Sequence, residues 1–105
     1  MLATRNDDTL PLPGGRRRLA RSLATEVLPG ARERRSAGPG THGLRLYDWA
    51  TIELAPAGMP PGWAQWLLIR RQITPTGTVP ELAFYRCAEP ATTTAAEMVR
   101  IAGVR

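Results

Sequence analysis

The chain has 105 residues and a formal net charge of +5, from 14 basic and nine acidic side chains. This length excludes more than one ordinary domain, and a hydrophobic content of 43% argues against simple disorder. Ten prolines and ten glycines nevertheless divide the apolar residues into short runs, so we expect only modest stability.

Every basic residue is an arginine, and this composition has two interpretations that remain open. Guanidinium groups stay charged and bind phosphates bidentately, which favours a nucleic-acid partner. Arginine, alanine, glycine and proline also share GC-rich codons, so the composition is equally typical of a GC-rich coding sequence.

A single cysteine and a single histidine narrow the possible chemistry further. Because Cys87 is the only cysteine, an internal disulfide and a cysteine-based metal cluster are excluded. We expect its thiol to be buried on a strand. His42 lies between glycines with no second ligand nearby. No signal-peptide pattern and no run of about 20 apolar residues is present, so we expect a soluble, cytoplasmic protein.

Residues 1–30 predict a strand and a helix. Residues 2–4 are typical of the end of a buried strand, and Asp7 and Asp8 are expected to turn the chain. Residues 16–27 predict a helix because apolar residues recur at every fourth position, and Pro29-Gly30 is expected to end it. Four arginines crowd the start of this helix, where the dipole disfavours cations; a solvated face or an external anion would account for them.

Residues 31–43 predict a polar, glycine-rich loop. Its glycines at 38, 40 and 43 superficially resemble a phosphate-binding loop. Pro39 removes a backbone donor, however, and no helix follows at once, so we exclude a nucleotide-binding fingerprint.

Three strands are predicted next, at residues 44–54, 64–73 and 81–87, and the short loops between them favour an antiparallel meander. In the first strand an apolar set that includes Ala50 and Ile52 alternates with a set that includes Tyr47 and Trp49. Asp48 interrupts the apolar set, which indicates either a bulge or a carboxylate paired with a nearby arginine.

The second predicted strand places its two arginines on opposite faces. Arg70 shares a face with Trp66 and Leu68, whereas Arg71 shares the other face with Leu67 and Ile69.

A second helix is predicted at residues 93–103. Thr94 and Glu97 have the spacing of a capping box, and Met98, Ile101 and Ala102 form an apolar stripe after it. The predicted order is therefore β-α-β-β-β-α, and the predicted fold class is α+β.

A search for catalytic residues gives nothing. The nine carboxylates are scattered along the chain, and no serine has a base partner available, since His42 is the only histidine. Asp7-Asp8 is the only adjacent acidic pair, and its position is more typical of a turn than of a magnesium site.

Several blocks of residues in this order resemble one protein family. The blocks are Ser36-Ala37-Gly38, Gly40, Gly43, Arg45, Tyr47-Asp48-Trp49-Ala50, Trp66-Leu67-Leu68-Ile69-Arg70-Arg71, Glu81-Leu82-Ala83-Phe84-Tyr85, Cys87 and Val99-Arg100-Ile101-Ala102-Gly103-Val104-Arg105. Together they resemble the DDE-type transposases of bacterial insertion sequences, within the RNase H-like catalytic domain.

The resemblance implies a place for the chain within that domain. Residues 1–105 would form a partial catalytic domain: strand plus helix at 1–30, loop at 31–43, β meander at 44–88 and helix at 93–103. The meander would be the three-stranded antiparallel β insertion of the family. Both metal-binding aspartates would lie before Met1 and the glutamate after Arg105. The chain would then hold no catalytic residue and none of the family's Mg²⁺.

The resemblance also implies that DNA is the partner, at the transposon ends. Arg105 matches the family's arginine that grips the transposon end, although Ala102-Gly103 stands where the family has an aromatic residue. Arg45, Arg70 and Arg71 are the other expected contacts to the DNA backbone, together with Arg34 and Arg35.

Three hypotheses follow. The chain is part of a transposase and is inactive alone; or it is a small, independent basic module that binds nucleic acid or protein; or it is an unrelated α+β protein with a binding partner.

Overall fold

The computed structural model describes residues 2–31, 33–40, 43–73 and 77–103. Within them the fold is α+β, with two helices and two antiparallel sheets. The elements in chain order are β1 (Leu2–Thr4), β2 (Thr9–Pro11), β3 (Arg17–Leu19), α1 (Ala20–Ala31), β4 (Glu33–Gly40), β5 (Gly43–Leu54), β6 (Trp63–Gln72), β7 (Leu82–Pro90) and α2 (Ala95–Gly103).

The main sheet has five strands in the order β1-β7-β6-β5-β4, and every neighbouring pair is antiparallel. The predicted meander is present, but with four strands rather than three. The prediction of a loop over 31–43 is wrong because Glu33–Gly40 pairs with β5. A shift in register between Ser36 and Pro39 accommodates the glycine- and proline-rich sequence, and Pro39 lies in a strand with a sheet neighbour on one side only.

The predicted helix over 16–27 is wrong at both ends. Arg17–Leu19 instead pairs with Thr9–Pro11 in a two-stranded hairpin, through a turn whose Gly14 and Gly15 have φ of 84° and 78°. α1 therefore begins at Ala20, and it continues through Pro29 and Gly30 to Ala31. The predicted order β-α-β-β-β-α is accordingly replaced by β-β-β-α-β-β-β-β-α.

Carbonyl groups of the turn at residues 5–8 accept hydrogen bonds from the first backbone N–H groups of α1. The Ala20 N–H donates to the Asp8 carbonyl at 3.0 Å, and the Arg21 N–H donates to the Asn6 carbonyl at 2.9 Å. Of the four arginines expected at the helix start, only Arg21 lies in the first turn. The unfavourable alignment with the helix dipole is therefore much smaller than the sequence indicated.

Each face of the main sheet is covered by its own apolar cluster. The first cluster joins the hairpin and α1 to one face; its buried members are Leu10, Leu12, Ala20, Leu23, Ala24, Ala50, Leu54, Leu67, Ile69 and Phe84. The second joins α2 to the other face, through Trp49, Trp66, Leu68, Cys87, Met98, Val99 and Ala102. This division confirms the predicted alternation of β5 and β6, since neighbouring strand residues enter different clusters.

β1 lies at the edge of the sheet beside β7. The predicted strand is present, but it is not the end of a buried strand, because Leu2 is 73% exposed. After Thr4 the chain turns as expected at Asp7 and Asp8. The Arg5 N–H donates to Asp8 Oδ2 at 2.9 Å, and the Asp8 N–H donates to the Arg5 carbonyl at 3.1 Å.

The predicted cap of α2 is confirmed. The Glu97 N–H donates to Thr94 Oγ1 at 3.2 Å, and the Thr94 hydroxyl donates to Glu97 Oε1 at 3.2 Å. Met98 and Ala102 are buried as expected, but Val99 takes the place predicted for Ile101, which is 37% exposed. Neither α1 nor α2, the two helices in the described part of the chain, has the length and apolar character that a membrane crossing requires.

Candidate nucleic-acid interface

The six arginines predicted to bind DNA are not brought to one described surface. Arg70 and Arg71 are neighbours on β6, so their side chains project from opposite faces of the sheet. Three others have a described backbone but no described side chain: Arg45 in β5, and Arg34 and Arg35 in β4. Arg105 lies outside the described residues.

Arg70 is held against two tyrosines from the neighbouring strands. Its guanidinium carbon lies 4.6 Å from the ring centroid of Tyr47 on β5 and 5.9 Å from that of Tyr85 on β7. Both distances are within the range of cation–π attraction. Gln72 and Glu81 line a small recess of about 90 Å³ beside this group. Arg70 is thus half-buried in the packing of the sheet, and only part of its guanidinium remains to meet a phosphate.

Arg71 lies on the opposite face, next to the one buried acidic side chain of the described residues. Asp48 is 6% exposed, and its register partners are Arg71 on β6 and Arg34 on β4. The pairing of β5 with β6 runs without a shift through Asp48, so the alternative of a bulge at this position is excluded. Asp48 and Arg71 are register neighbours but form no ion pair with each other, so the alternative of a carboxylate paired with a nearby arginine stays a prediction. Arg71 nevertheless has an acidic neighbour within the sheet.

Among the arginines whose side chains are described, Arg16, Arg17, Arg21 and Arg100 are exposed, and their guanidinium groups make no ion pair or hydrogen bond with any described residue. Arg100 lies apart from the others on α2. We call Arg16, Arg17 and Arg21 the corner arginines. They lie in the hairpin and in the first turn of α1.

The acidic side chains around the corner arginines are engaged elsewhere. Asp7 pairs with Arg5, with Oδ1 3.3 Å from Nε, and Glu26 pairs with Arg18. The Asp8 carboxylate accepts the backbone N–H of Arg5. Because arginine side chains retain their charge at any physiological pH, the corner presents uncompensated positive charge to solvent.

An open groove of about 460 Å³ lies beside Arg21. It is bounded by the end of β1, by Asn6 and by the first residues of β7, where Thr4 pairs with Phe84. Beyond Thr4 the turn at residues 5–8 carries the chain away from β7. Leu82 and Ala83 therefore pair with β6 on one side and face the groove on the other.

The sequence contains only part of the signal for this surface. The group of arginines at 16–21 is visible in the sequence, and an external anion was one interpretation of it. Which of them are unpaired could not be predicted, because that depends on Asp7 and Glu26 meeting Arg5 and Arg18. The groove could not be predicted either, since it depends on where β1 leaves β7.

Cys87 has the environment predicted for it and is not a reactive thiol. It is 2% exposed, and its Sγ lies 3.4 Å from Met98 Sδ. Burial, with a smaller contribution from the charge of Glu89, raises the pKa of the thiol to about 11. Because the thiolate is the nucleophilic form, this pKa disfavours covalent chemistry at neutral pH.

Within the described ranges, no group of three or more histidine, cysteine or acidic side chains is arranged to hold a metal ion. No family model, curated protein or solved structure matches the chain.

Proposed function

We propose that this chain is part of a DDE-type insertion-sequence transposase, in which it contacts the DNA backbone in the cytoplasm and does not catalyse strand cleavage. The observation that carries the proposal is the free guanidinium groups of Arg16, Arg17 and Arg21. The order of residue blocks described for the sequence supports the family, and the net charge of +5 supports the partner. The proposal also includes the expectation that the sheet is part of an RNase H-like domain.

Phosphate contacts of this kind are electrostatic and independent of base sequence. Each arginine that neutralises a phosphate releases condensed counterions, so affinity falls steeply as salt rises. The corner arginines are suited to this role because no described acidic group has to be displaced before they bind. Arg70 and Arg71 contribute less in this proposal, since each already has partners or acidic neighbours within the sheet.

The test is a DNA titration of the purified chain over a range of salt concentrations. The Arg16→Ala/Arg17→Ala variant is expected to lower the affinity for a DNA duplex about tenfold at low salt. It should also make the dependence of log K on log salt shallower by about two, one unit for each lost contact.

A matched control removes the same charge elsewhere. Ala96→Glu/Arg100→Ala acts on exposed positions of α2, on the other face of the sheet, and also lowers the formal charge by two. Its DNA affinity should remain within about twofold of the parent chain. Equal losses in both variants would mean that net charge alone attracts the DNA, and the corner would lose its assignment.

The transposase affiliation has its own test, which is the DNA on either side of the coding sequence. Reading frames for an aspartate-bearing segment before it and a glutamate-bearing helix after it are expected. Clean intergenic sequence on both sides would contradict the affiliation without affecting the DNA-binding test.

A second candidate is an independent basic module that binds nucleic acid. The observation in its favour is that both faces of the main sheet are covered, by α1 with the hairpin and by α2. Such a module predicts a single cooperative unfolding transition for the isolated chain. A gradual, non-cooperative transition would exclude it.

A further inference from the structure

The groove beside Arg21 exists because the first strand stops early. β1 pairs with β7 only from Leu2 to Thr4, opposite Arg86 to Phe84. The same register would place the next two residues opposite Ala83 and Leu82. The hydrogen bonds between Arg5 and Asp8 turn the chain aside instead and leave that space open.

The groove combines a cation with apolar surface. Its polar side chains are Thr4, Asn6 and Arg21, and Arg21 is the only charged side chain among the residues that line it. Pro80, Leu82 and Phe84 are among the apolar residues that line it, and Leu82 remains 39% exposed in the folded chain. A volume of about 460 Å³ is within the range of small-ligand sites.

This combination matches one part of a nucleic acid better than another. A duplex presents phosphates on its outside and keeps its bases stacked inside, so it could use Arg21 but not the apolar wall. A single strand presents phosphates and unstacked bases together, and proteins bind it by pairing basic groups with surfaces that cover the base.

We infer that the groove binds one nucleotide of a single-stranded nucleic acid, with the phosphate on Arg21 and the base against Leu82 and its apolar neighbours. This inference rests on the proposed function, since it takes nucleic acid to be the partner. It adds that the chain prefers single-stranded nucleic acid to a duplex, and it names the residues that contact the nucleotide.

The experiment fills the groove from an exposed position. Ala3 lines the groove and is exposed, and its register partner is Tyr85, so Ala3→Phe is expected to fill the groove on the side of Tyr85. Ala96→Phe, on the exposed face of α2, adds the same ring far from the groove and is the matched control. Thermal unfolding of both variants verifies that they fold like the parent chain.

Binding is measured by fluorescence anisotropy with a labelled oligothymidylate and with a duplex, at about 50 mM salt. Ala3→Phe and Arg21→Ala should each weaken single-strand binding about tenfold, and Ala3→Phe should leave duplex binding within about twofold. Ala96→Phe should change neither.

The possible failures separate this inference from the proposed function. Parental single-strand affinity in a folded Ala3→Phe variant would overturn the inference, whereas duplex binding that depends on Arg16 and Arg17 would leave the proposed function standing. Absence of binding to both nucleic acids at low salt would overturn both. Preferential binding of an acidic peptide of extended sequence, lost in Ala3→Phe, would overturn the inference and assign the groove to a protein strand.

Discussion

The arginines of the sheet and those of the corner are chemically identical, but the fold gives them different surroundings. On the sheet, Arg70 is held by two tyrosines, and Arg86 donates to Gln65 Oε1 at 2.7 Å. At the corner, Arg16 and Arg17 are exposed with no described partner. A basic composition therefore does not by itself identify a binding surface.

The comparison also separates stability from binding. A guanidinium held within the sheet stabilises the fold through contacts that a bound phosphate would have to share. An unpartnered guanidinium at the surface contributes little to folding but keeps its hydrogen-bond donors for a ligand. Mutations in the two regions should therefore have opposite signatures, with stability changing in one and DNA affinity in the other.

The largest effect is expected at Asp48. Replacing it with alanine removes a buried carboxylate that has a partner in the folded chain and whose register neighbour on β6 is Arg71. We expect a loss of roughly 2–4 kcal/mol in the free energy of unfolding, measured by chemical denaturation. Asp7→Ala at the corner breaks only an exposed ion pair and should cost less than about 0.5 kcal/mol. Similar losses in the two variants would remove the distinction between the regions.

Alkaline pH should weaken the sheet without affecting the charge of the corner. The pKa of Cys87 is raised from 9.0 to about 11 in the folded chain. The buried thiol therefore makes its full contribution to the free energy of unfolding below pH 9. Between these values the thiol of the unfolded chain ionises first, and the free energy of unfolding falls, by on the order of 2 kcal/mol for a shift of this size. Arginine remains charged throughout, so the folded chain should still bind DNA.

Denaturation curves recorded at about pH 8.5 and pH 10.5 measure this fall. Cys87→Ala is the control, because it removes the thiol and leaves every other ionisable side chain in place. The variant should lose less stability on going to the higher pH than the parent chain does. An equal loss would assign the pH dependence to other groups.

The local periodicity of the sequence predicted the strand faces correctly. Alternation assigned Trp66 and Leu68 to one face and Leu67 and Ile69 to the other, as found in the two clusters. The capping of α2 by Thr94 was also predictable, because it depends on residues three positions apart. Features of this kind need no knowledge of which segments meet in space.

The failures lie where distant pairing overrides local preference. Residues 33–40 contain glycine and proline in a pattern typical of a loop, yet hydrogen bonding to β5 makes them a strand. Residues 17–19 fit a helical repeat, but pairing with β2 takes them into a hairpin. The candidate groove has the same origin, since its walls come from residues 3, 4 and 6, from Arg21, and from residues 80 and 82–85.

A smaller effect is expected from Arg70→Ala. The substitution removes the cation between Tyr47 and Tyr85, and we expect a loss of about 1 kcal/mol in the free energy of unfolding. Its effect on duplex affinity should be less than that of Arg17→Ala, because only part of its guanidinium is available for a phosphate. A variant of parental stability that loses DNA binding would reverse the roles assigned to the two regions.

The smallest effect, and the sharpest comparison, involves two consecutive residues of β3. Arg17 is exposed with no described partner, whereas Arg18 is half-buried and pairs with Glu26 on α1. Arg17→Ala should lower duplex affinity about threefold and leave the unfolding midpoint unchanged, while Arg18→Ala should change affinity less than about twofold. Both variants carry the same net charge and the same truncation one position apart, so general electrostatics predicts equal losses in affinity. Only the availability of the guanidinium distinguishes them, and equal losses would show that partners within the fold do not decide which arginines bind DNA.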